Sequence, residues 1–383
     1  MWIWQHPEWP NFVIDSSGFS EQIETFRRNA ERLAWQVEVL SDDSQTEASV
    51  DLMLSEVIAT YAIEGEKLDR DSVRSSLLAH FGRVIDGGGH DDGKAAAAAD
   101  LIVDVRRNWR RPLSHEMLGR WQSLVVVDQI TSLMMRGAYR NDPEPMRIVS
   151  GIRAGRPGRI HYEAPPAADV PAEMERFLSW YNQSPDGNLP GPVRAAVAHV
   201  WFEKIHPFDD GNGRVGRAVS DHALSQSLGR PTLACLATAI NDDRHAYYSE
   251  LETIGRGQFD LSGFVGYFMR AVNRAQEIAA AEVEFVLGKV RFYDRYGERL
   301  NERQRKVTAR IFREGRAGFA GGLSRKNYVS IARCSPATAA RDLADLQNMG
   351  ALVSRGRGRS TRYGIACPEP SATARNVGRS ASL

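Results

Sequence analysis

The sequence predicts a mainly α-helical protein: a helical bundle carrying a β-hairpin flap, with a small helical subdomain before it and a domain of three helices and a hairpin after it. Three observations predict this. Apolar residues recur at helical spacing through most of the chain, as in Val50, Met53, Leu54, Val57, Ile58 and Tyr61, and again in Val193, Ala196, Val197, Val200 and Trp201. Two short β-prone runs, Arg147–Ser150 and Arg159–Tyr162, interrupt that pattern with glycines between them. After Leu300, three further helical stretches lead into a basic, glycine-rich turn flanked by β-prone residues.

Residues 1–92 form the N-terminal subdomain, where Trp2, Trp4 and Trp9 of the opening MWIWQHPEWPNF supply packing. The stripe from Glu47 to Ile63 is a helix that Thr46 caps and Gly65 ends. Glu64 falls three residues after Tyr61 and seven after Val57, so it extends the buried face, and a carboxylate there needs a cationic partner. A Gly/Asp connector, Val84–Lys94, leads to an alanine-rich helix from Ala95 to about Arg107 in the central domain, 93–295. Met146–Pro166 reads as a hairpin around Gly151, Gly155 and Gly158. An amphipathic helix then runs to His206, where Pro207 prevents its continuation. Arg214–Leu228 is a further helix, with Val215, Val219, Ala223 and Leu224 on its apolar positions and Gly229 at its end. There is no internal repeat, and helical patterns continue to about Tyr293.

The stretch from His206 to Arg217, HPFDDGNGRVGR, concentrates the chemistry. His206 stands at a helix-to-loop corner with a side chain suited to taking a proton near neutral pH. Gly211, Asn212 and Gly213 turn successive amides into a nest for an anion, and the helix behind them adds the positive field of its N-terminus. Arg214 and Arg217, three apart, share a helix face. Two bidentate donors on one face suit a polyphosphate better than a single carboxylate. Asp210 supplies the hard oxygen that Mg2+ needs when substrate phosphates complete its shell.

That stretch resembles the signature of Fic-domain proteins, HPFx(D/E)GNGRxxR, at every fixed position. The resemblance implies transfer of AMP from ATP to a Ser, Thr or Tyr hydroxyl of a target protein, the chain itself included. It assigns His206 as general base and Phe208 as anchor of the loop. Asp210 would hold Mg2+, Asn212 would position the α-phosphate, and the amides of Gly211 to Gly213 would stabilise developing charge. Arg214 would neutralise the leaving pyrophosphate and Arg217 the γ-phosphate. Upstream, Thr60–Gly65, TYAIEG, resembles the family's (S/T)xxxE(G/N) inhibitory motif. This implies that Glu64, with Thr60, holds Arg217 and keeps the enzyme weakly active. The 146–166 hairpin resembles the family's flap, so Ile148, Val149, Ile160 and Tyr162 become the target-docking positions. Arg244–Tyr248 with Leu251 resembles the segment near the adenine, where Tyr247 and Tyr248 either stack on the base or fill the core.

Residues 300–383 hold sixteen Lys or Arg against five Asp or Glu, a net of +11 in a chain whose formal net charge is +1. Leu300–Phe312, Tyr328–Arg333 and Ser335–Met349 read as helices, with Pro336 in the first turn of the third. Leu352–Ser354 and Thr361–Ile365 then flank RGRGR, Arg355–Arg359. This order resembles a winged helix-turn-helix over 296–367, which implies either DNA contact or protein interaction, including pairing with a second copy of the chain. For DNA, Ser335, Thr338 and Arg341 would face the major groove, and Arg355, Arg357 and Arg359 would meet phosphates or the minor groove. A DNA-binding regulator that senses nucleotide, or a transferase that uses another donor or also removes AMP, stands as the alternative. The tail, 368–383, is Ser/Ala/Arg-rich and expected to be disordered.

Composition excludes several classes. At 383 residues and 42% hydrophobic content the chain has ample material for two or three cored domains. Cys235, Cys334 and Cys367 form no CxxC pair, so neither disulfides nor a zinc cage is indicated. No run approaches the ~18 apolar residues of a membrane span, and the N-terminus has no basic-then-apolar leader, so the cytoplasm is the expected compartment.

Overall fold

The computed structural model describes residues 1–15, 17–83, 92–127, 135–150, 158–184, 189–316, 318–319 and 322–366. Most of the Gly/Asp connector, Gly151 and Gly155 of the hairpin turn, Cys367 and the tail lie outside the described residues. The chain divides into two compact units, Met1–Val39 with Gln45–Ala280, and Leu40–Ser44 with the chain from Ala281 onward.

In the first unit, α1 (Ser20–Glu38) and α2 (Asp42–Ile63), which belongs to this unit from Gln45, are followed by α3 (Arg70–Ala79), α4 (Gly93–Arg107) and α5 (His115–Val125). A hairpin of β1 (Arg147–Ser150) and β2 (Arg159–Glu163) comes next, then α6 (Val170–Gln183), α7 (Gly191–Ile205), α8 (Asn212–Leu228), α9 (Leu236–Asp242) and α10 (Arg244–Gly255). The long α11 (Ser262–Tyr296) belongs to this unit up to Ala280. Asp69, Asp92 and Ser114 accept backbone N–H groups at the starts of α3, α4 and α5, satisfying donors a helix leaves open.

Several sequence expectations are corrected here. Helix α2 starts at Asp42 rather than at a Thr46 cap, and Asp42 and Asp43 put negative charge against its N-terminal dipole. Helix α7 is not amphipathic: from Pro192 to Ile205 every residue is buried. Arg194, His199 and Lys204 on this helix find partners on neighbouring helices, for example Arg194 Nη2 donating to the Tyr181 carbonyl at 2.9 Å. The N-terminal tryptophans join the central core instead of packing a subdomain of their own. Trp9 meets Trp201 edge-on at 6.3 Å between ring centroids, and Trp4 Nε1 donates to the Glu163 carbonyl at 2.8 Å.

Helices α7 and α8 form the central pair. Gly216 permits their close approach, since a Cβ there would lie 2.5 Å from Glu203 Oε1. A separate apolar cluster joins α2, α3 and α4 through Leu54, Val57, Tyr61, Val73, Leu77 and Ala99.

In the second unit, α12 (Glu302–Arg313), α13 (Arg325–Ala332) and α14 (Pro336–Asn348) precede an antiparallel hairpin of β3 (Leu352–Arg355) and β4 (Arg362–Ile365). Asn301 and Ser324 form capping boxes, and Ser335 caps α14 with Pro336 at its first position. Tyr328, Leu343, Leu346 and Leu352 fill its core. Asp342 is buried under that core's edge and accepts from Arg303 and Tyr328 at 2.8 and 3.0 Å.

Candidate active site

Three elements build the site: the C-terminal end of α7, the N-terminal end of α8 and the C-terminal end of α2. His206 is the cap residue of α7, in the left-handed conformation at φ 50°. Four contacts from Arg140 hold this bend: Nε donates to the His206 carbonyl at 2.8 Å, Nη2 to the Pro165 and Ile205 carbonyls at 2.6 and 3.3 Å, and the backbone N–H to the Pro207 carbonyl at 2.9 Å. The positive side chain also meets the negative end of the α7 dipole. Nothing in the local sequence marks Arg140, because its partners lie 25 residues or more away.

The imidazole of His206 is half-buried, with Nδ1 3.3 Å from the Glu203 carbonyl, so Nδ1 carries the proton and Nε2 keeps its lone pair. Burial lowers its pKa to about 4, against the Glu203 hydrogen bond and with help from the positive charges of Arg140 and Lys204. The ring is therefore neutral at pH 7. Beneath it, burial raises Glu203 to about 7, opposed by Arg217 and reinforced by Glu64.

At the start of α8, Gly211 alone takes the left-handed conformation, at φ 88°. The turn at Gly213 is ordinary helix. Its need for glycine is space, because a Cβ would lie 2.4 Å from Glu64 Oε1. Asn212 has a structural task that its expected role did not include. Its Oδ1 accepts from the Phe208 N–H at 3.0 Å and its Nδ2 donates one hydrogen to the Phe208 carbonyl at 2.8 Å, so its side chain clips the loop shut and keeps one N–H beyond these two bonds. Phe208 itself is fully buried.

Helix α2 ends in a two-bond turn around Gly65, whose φ is 78°. The Gly65 N–H donates to the Ala62 carbonyl and the Glu66 N–H to the Tyr61 carbonyl, both at 3.0 Å. Glu64 is thus in the turn, with its side chain 29% exposed, and not on the buried helix face. Its Oε1 accepts from Arg217 Nη2 at 2.7 Å. Arg217 also donates from Nε to Thr60 Oγ1 at 2.7 Å and from Nη2 to the Thr60 carbonyl at 3.1 Å. Burial opposes its charge, yet the Glu64 carboxylate outweighs that and raises its pKa above the ordinary arginine value. Glu66, which the sequence reading did not single out, accepts from Arg214 Nη1 at 2.6 Å. From α10, Arg244 Nη1 adds a second donor to the Ala62 carbonyl and the Tyr248 hydroxyl donates to the Ile63 carbonyl, both at 3.2 Å, at the C-terminal end of α2.

These residues surround a cavity of about 930 Å³, within the range of small-molecule sites. His206, Asp210, Gly211, Asn212, Gly213, Arg214, Glu64, Tyr247 and Tyr248 all line it. The two tyrosines separate: Tyr247 is buried with its hydroxyl 2.8 Å from His199 Nε2, whereas Tyr248 is 44% exposed. Of the hairpin positions, Ile148, Val149 and Ile160 are each 40% exposed. Tyr162 is not a docking position, because it is buried and donates to the Lys204 carbonyl. Asp210 presents a half-exposed carboxylate at the rim, with Oδ1 accepting from the Gly211 N–H at 2.6 Å. Among the described residues no group of three or more His, Cys, Asp or Glu gathers to cage a metal. A carboxylate at the rim, such as that of Asp210, suits an ion that takes its remaining ligands from a bound molecule and water.

Residues 112–224, which hold the HPFDDGNGRVGR corner and the paired arginines, match the Fic/DOC family. Residues 2–83 match a domain of unknown function, DUF4172. The chain is 27% identical over 213 residues to protein adenylyltransferase fic-1 of Caenorhabditis elegans, across 55% of this chain and 38% of the relative. It is 33% identical over 115 residues to protein adenylyltransferase Fic of Culex quinquefasciatus, across 30% and 21%. The chain thus spans about a fifth to two fifths of the length of these curated relatives. The fold is similar to that of a Fic family protein from Desulfovibrio desulfuricans, with TM-score 0.50, 20% identity, and 92% of this chain and 98% of that one covered. It is also similar to a Fic domain containing signaling protein from Bacteroides thetaiotaomicron, with TM-score 0.52, 19% identity, and 69% and 97% covered. Among the described residues no helix is long and apolar enough to cross a membrane.

Proposed function

We propose that this chain is a protein adenylyltransferase that moves AMP from ATP to Ser, Thr or Tyr hydroxyls and that Glu64 holds it in check. The observation that carries the reading is one cavity lined by a neutral His206, the opening turn of α8, Arg214 and Asp210, with Glu64 bonded to Arg217 at its edge. His206 Nε2 takes the proton of the incoming hydroxyl, and the oxygen forms a bond to the α-phosphorus. The bond from that phosphorus to the bridging oxygen breaks, and pyrophosphate leaves. The amides of Asn212 and Gly213 and the dipole of α8 face the charge that builds on the α-phosphate, while the Gly211 N–H orients Asp210, and Arg214 meets the leaving group. Mg2+, held by Asp210 with substrate oxygens, supplies further charge neutralisation when bound. The exposed Ile148, Val149 and Ile160 bring the target strand alongside the flap.

Glu64 inhibits by occupancy. It takes the guanidinium that the γ-phosphate would use and lies where a Cβ on Gly213 would touch it. With wild type, Glu64→Gly, and Glu64→Gly combined with His206→Ala, given Mg2+ and ATP labelled at the α-phosphate, protein-bound label should rise at least tenfold in the first variant and vanish in the second. A Glu64→Gly protein no more active than wild type would sink the inhibitory reading. If label is absent from every form even with lysate as a source of targets, AMP transfer gives way to other donors.

A second reading concerns the C-terminal unit. Exposed Arg341, Arg355 and Arg357, in a segment of net charge +11, favour a winged helix-turn-helix that contacts duplex DNA.

A further inference from the structure

Glu64 and Glu66 are two residues apart, and each bonds a different arginine of α8: Glu64 to Arg217 and Glu66 to Arg214. Their surroundings are opposite. Glu64 and Arg214 line the cavity, whereas Glu66 and Arg217 are not among its lining residues. The left-handed Gly65 between the two carboxylates reverses the chain and sends them to different sides. Glu64 therefore stands between Arg217 and the cavity, while Glu66 holds Arg214 from behind.

The remaining contacts of Arg214 support that placement. Its Nη1 is committed to Glu66 at 2.6 Å, its guanidinium lies over the Tyr61 ring at 5.1 Å from the centroid, and its Nη2 is 3.7 Å from Oδ1 of Asp210 on the cavity wall. Glu66 is itself fixed by an ion pair from Oε2 to Lys94 Nζ on α4. Lys94, Glu66 and Arg214 together keep one net positive charge, so the pairing orients Arg214 without cancelling the attraction of the site for phosphate. A nucleotide that reaches for Arg217 must first expel Glu64. One that meets Arg214 at Nη2 leaves Glu66 where it is, and finds a donor whose rotamer entropy is already lost.

We propose that Glu66, tethered by Lys94, is a positioning residue for Arg214. Its loss lowers activity, the opposite of the loss of Glu64, although both are carboxylates on the same turn paired to signature arginines. The proposal rests on the adenylyltransferase reading for its kinetic consequence and on the nucleotide phosphates alone for its binding consequence.

The test uses full-length protein in three forms, Glu64→Gly, Glu64→Gly with Glu66→Ala, and Glu64→Gly with Glu66→Gln. Transfer rates are measured against MgATP concentration, and the affinities for ATP and AMP are measured by calorimetric titration. Glu66→Ala should raise the KM for ATP at least fivefold and weaken ATP binding by a similar factor, with AMP binding unchanged within twofold because AMP lacks the phosphates Arg214 meets. Glu66→Gln keeps an oxygen for Nη1 and should recover most of both. Transfer by Glu66→Ala as fast as or faster than its parent would overturn the proposal and make Glu66 neutral or a second inhibitory contact. A parallel fall in ATP and AMP affinity would overturn it too, since loosening of the whole turn does not distinguish the nucleotides. If Glu64→Gly carries no label, the transferase reading fails by itself, and the ratio of ATP to AMP affinity still decides the role of Glu66.

Discussion

At the scale of single residues, His206 is prepared by its backbone as much as by its ring. The left-handed bend that ends α7 turns the imidazole into the cavity, Arg140 fixes the carbonyls of Ile205, His206 and Pro207 around the bend, and burial keeps the ring neutral with a pKa of about 4. The sign matters for pH dependence. A lowered pKa leaves the basic form intact throughout the neutral range and loses it only as pH falls toward 4, whereas an ordinary histidine near 6.5 would retain about a quarter of its basic form at pH 6. Transfer by Glu64→Gly should therefore fall less than twofold between pH 8 and pH 6. Glu203 titrates closer to neutrality, but Glu64→Gly removes one of the charges that raise it. A half-maximal rate near pH 6.5 in that variant would contradict the assignment of a depressed pKa to the base.

At the scale of elements, the turn ending α2 shows what was legible in the sequence and what was not. Gly65 as a helix stop follows from local rules, and so do the helical stripes of α2 and α8 and the glycine-rich corner between α7 and α8. Local rules fail where the partner is distant. Glu66 meets an arginine 148 positions on, Arg140 meets carbonyls 25 to 66 positions away, and Tyr162 is turned inward by the Lys204 carbonyl. Gly213 looked like a turn glycine, yet its reason is the Glu64 carboxylate arriving from another helix. Asn212 looked like a ligand group alone, but it also closes the loop, through hydrogen bonds to the Phe208 backbone that local rules do not reveal. The turn itself offers a clean measurement. A Cβ on Gly65 would meet nothing within 4 Å, so Gly65→Ala is penalised by the left-handed conformation alone, at about 1 kcal/mol. Exchange of the Glu66 amide hydrogen, which is bonded to the Tyr61 carbonyl, should quicken about fivefold in Gly65→Ala and much less in Gly65→Asn, because asparagine tolerates this region. Equal exchange in all three proteins would show that the two-bond turn does not govern the placement of the carboxylates.

At the scale of the whole molecule, charge is divided far more unevenly than a net of +1 suggests, with residues 300–383 at +11. Such a field acts on polyanions through counterion release, and its strength shows in the dependence on salt more clearly than in any single affinity. The unit has an uncharged core around Tyr328 and Leu343 and satisfies its buried Asp342 internally through Arg303, so Arg341, Arg355 and Arg357 are surplus to its stability and exposed. Full-length protein should therefore bind duplex DNA with an affinity that falls steeply from about 50 to 200 mM salt. Changing Arg355, Arg357 and Arg359 together to Ala should weaken binding and reduce the slope of log affinity against log salt by about two to three units, close to one for each phosphate contact removed. Arg341→Ala should instead change the preference among sequences more than the slope, since a helix side chain in the major groove reads bases. Binding that ignores salt, or a triple variant that binds as tightly as wild type, would exclude the basic turn as a DNA surface and leave the C-terminal unit to protein partners.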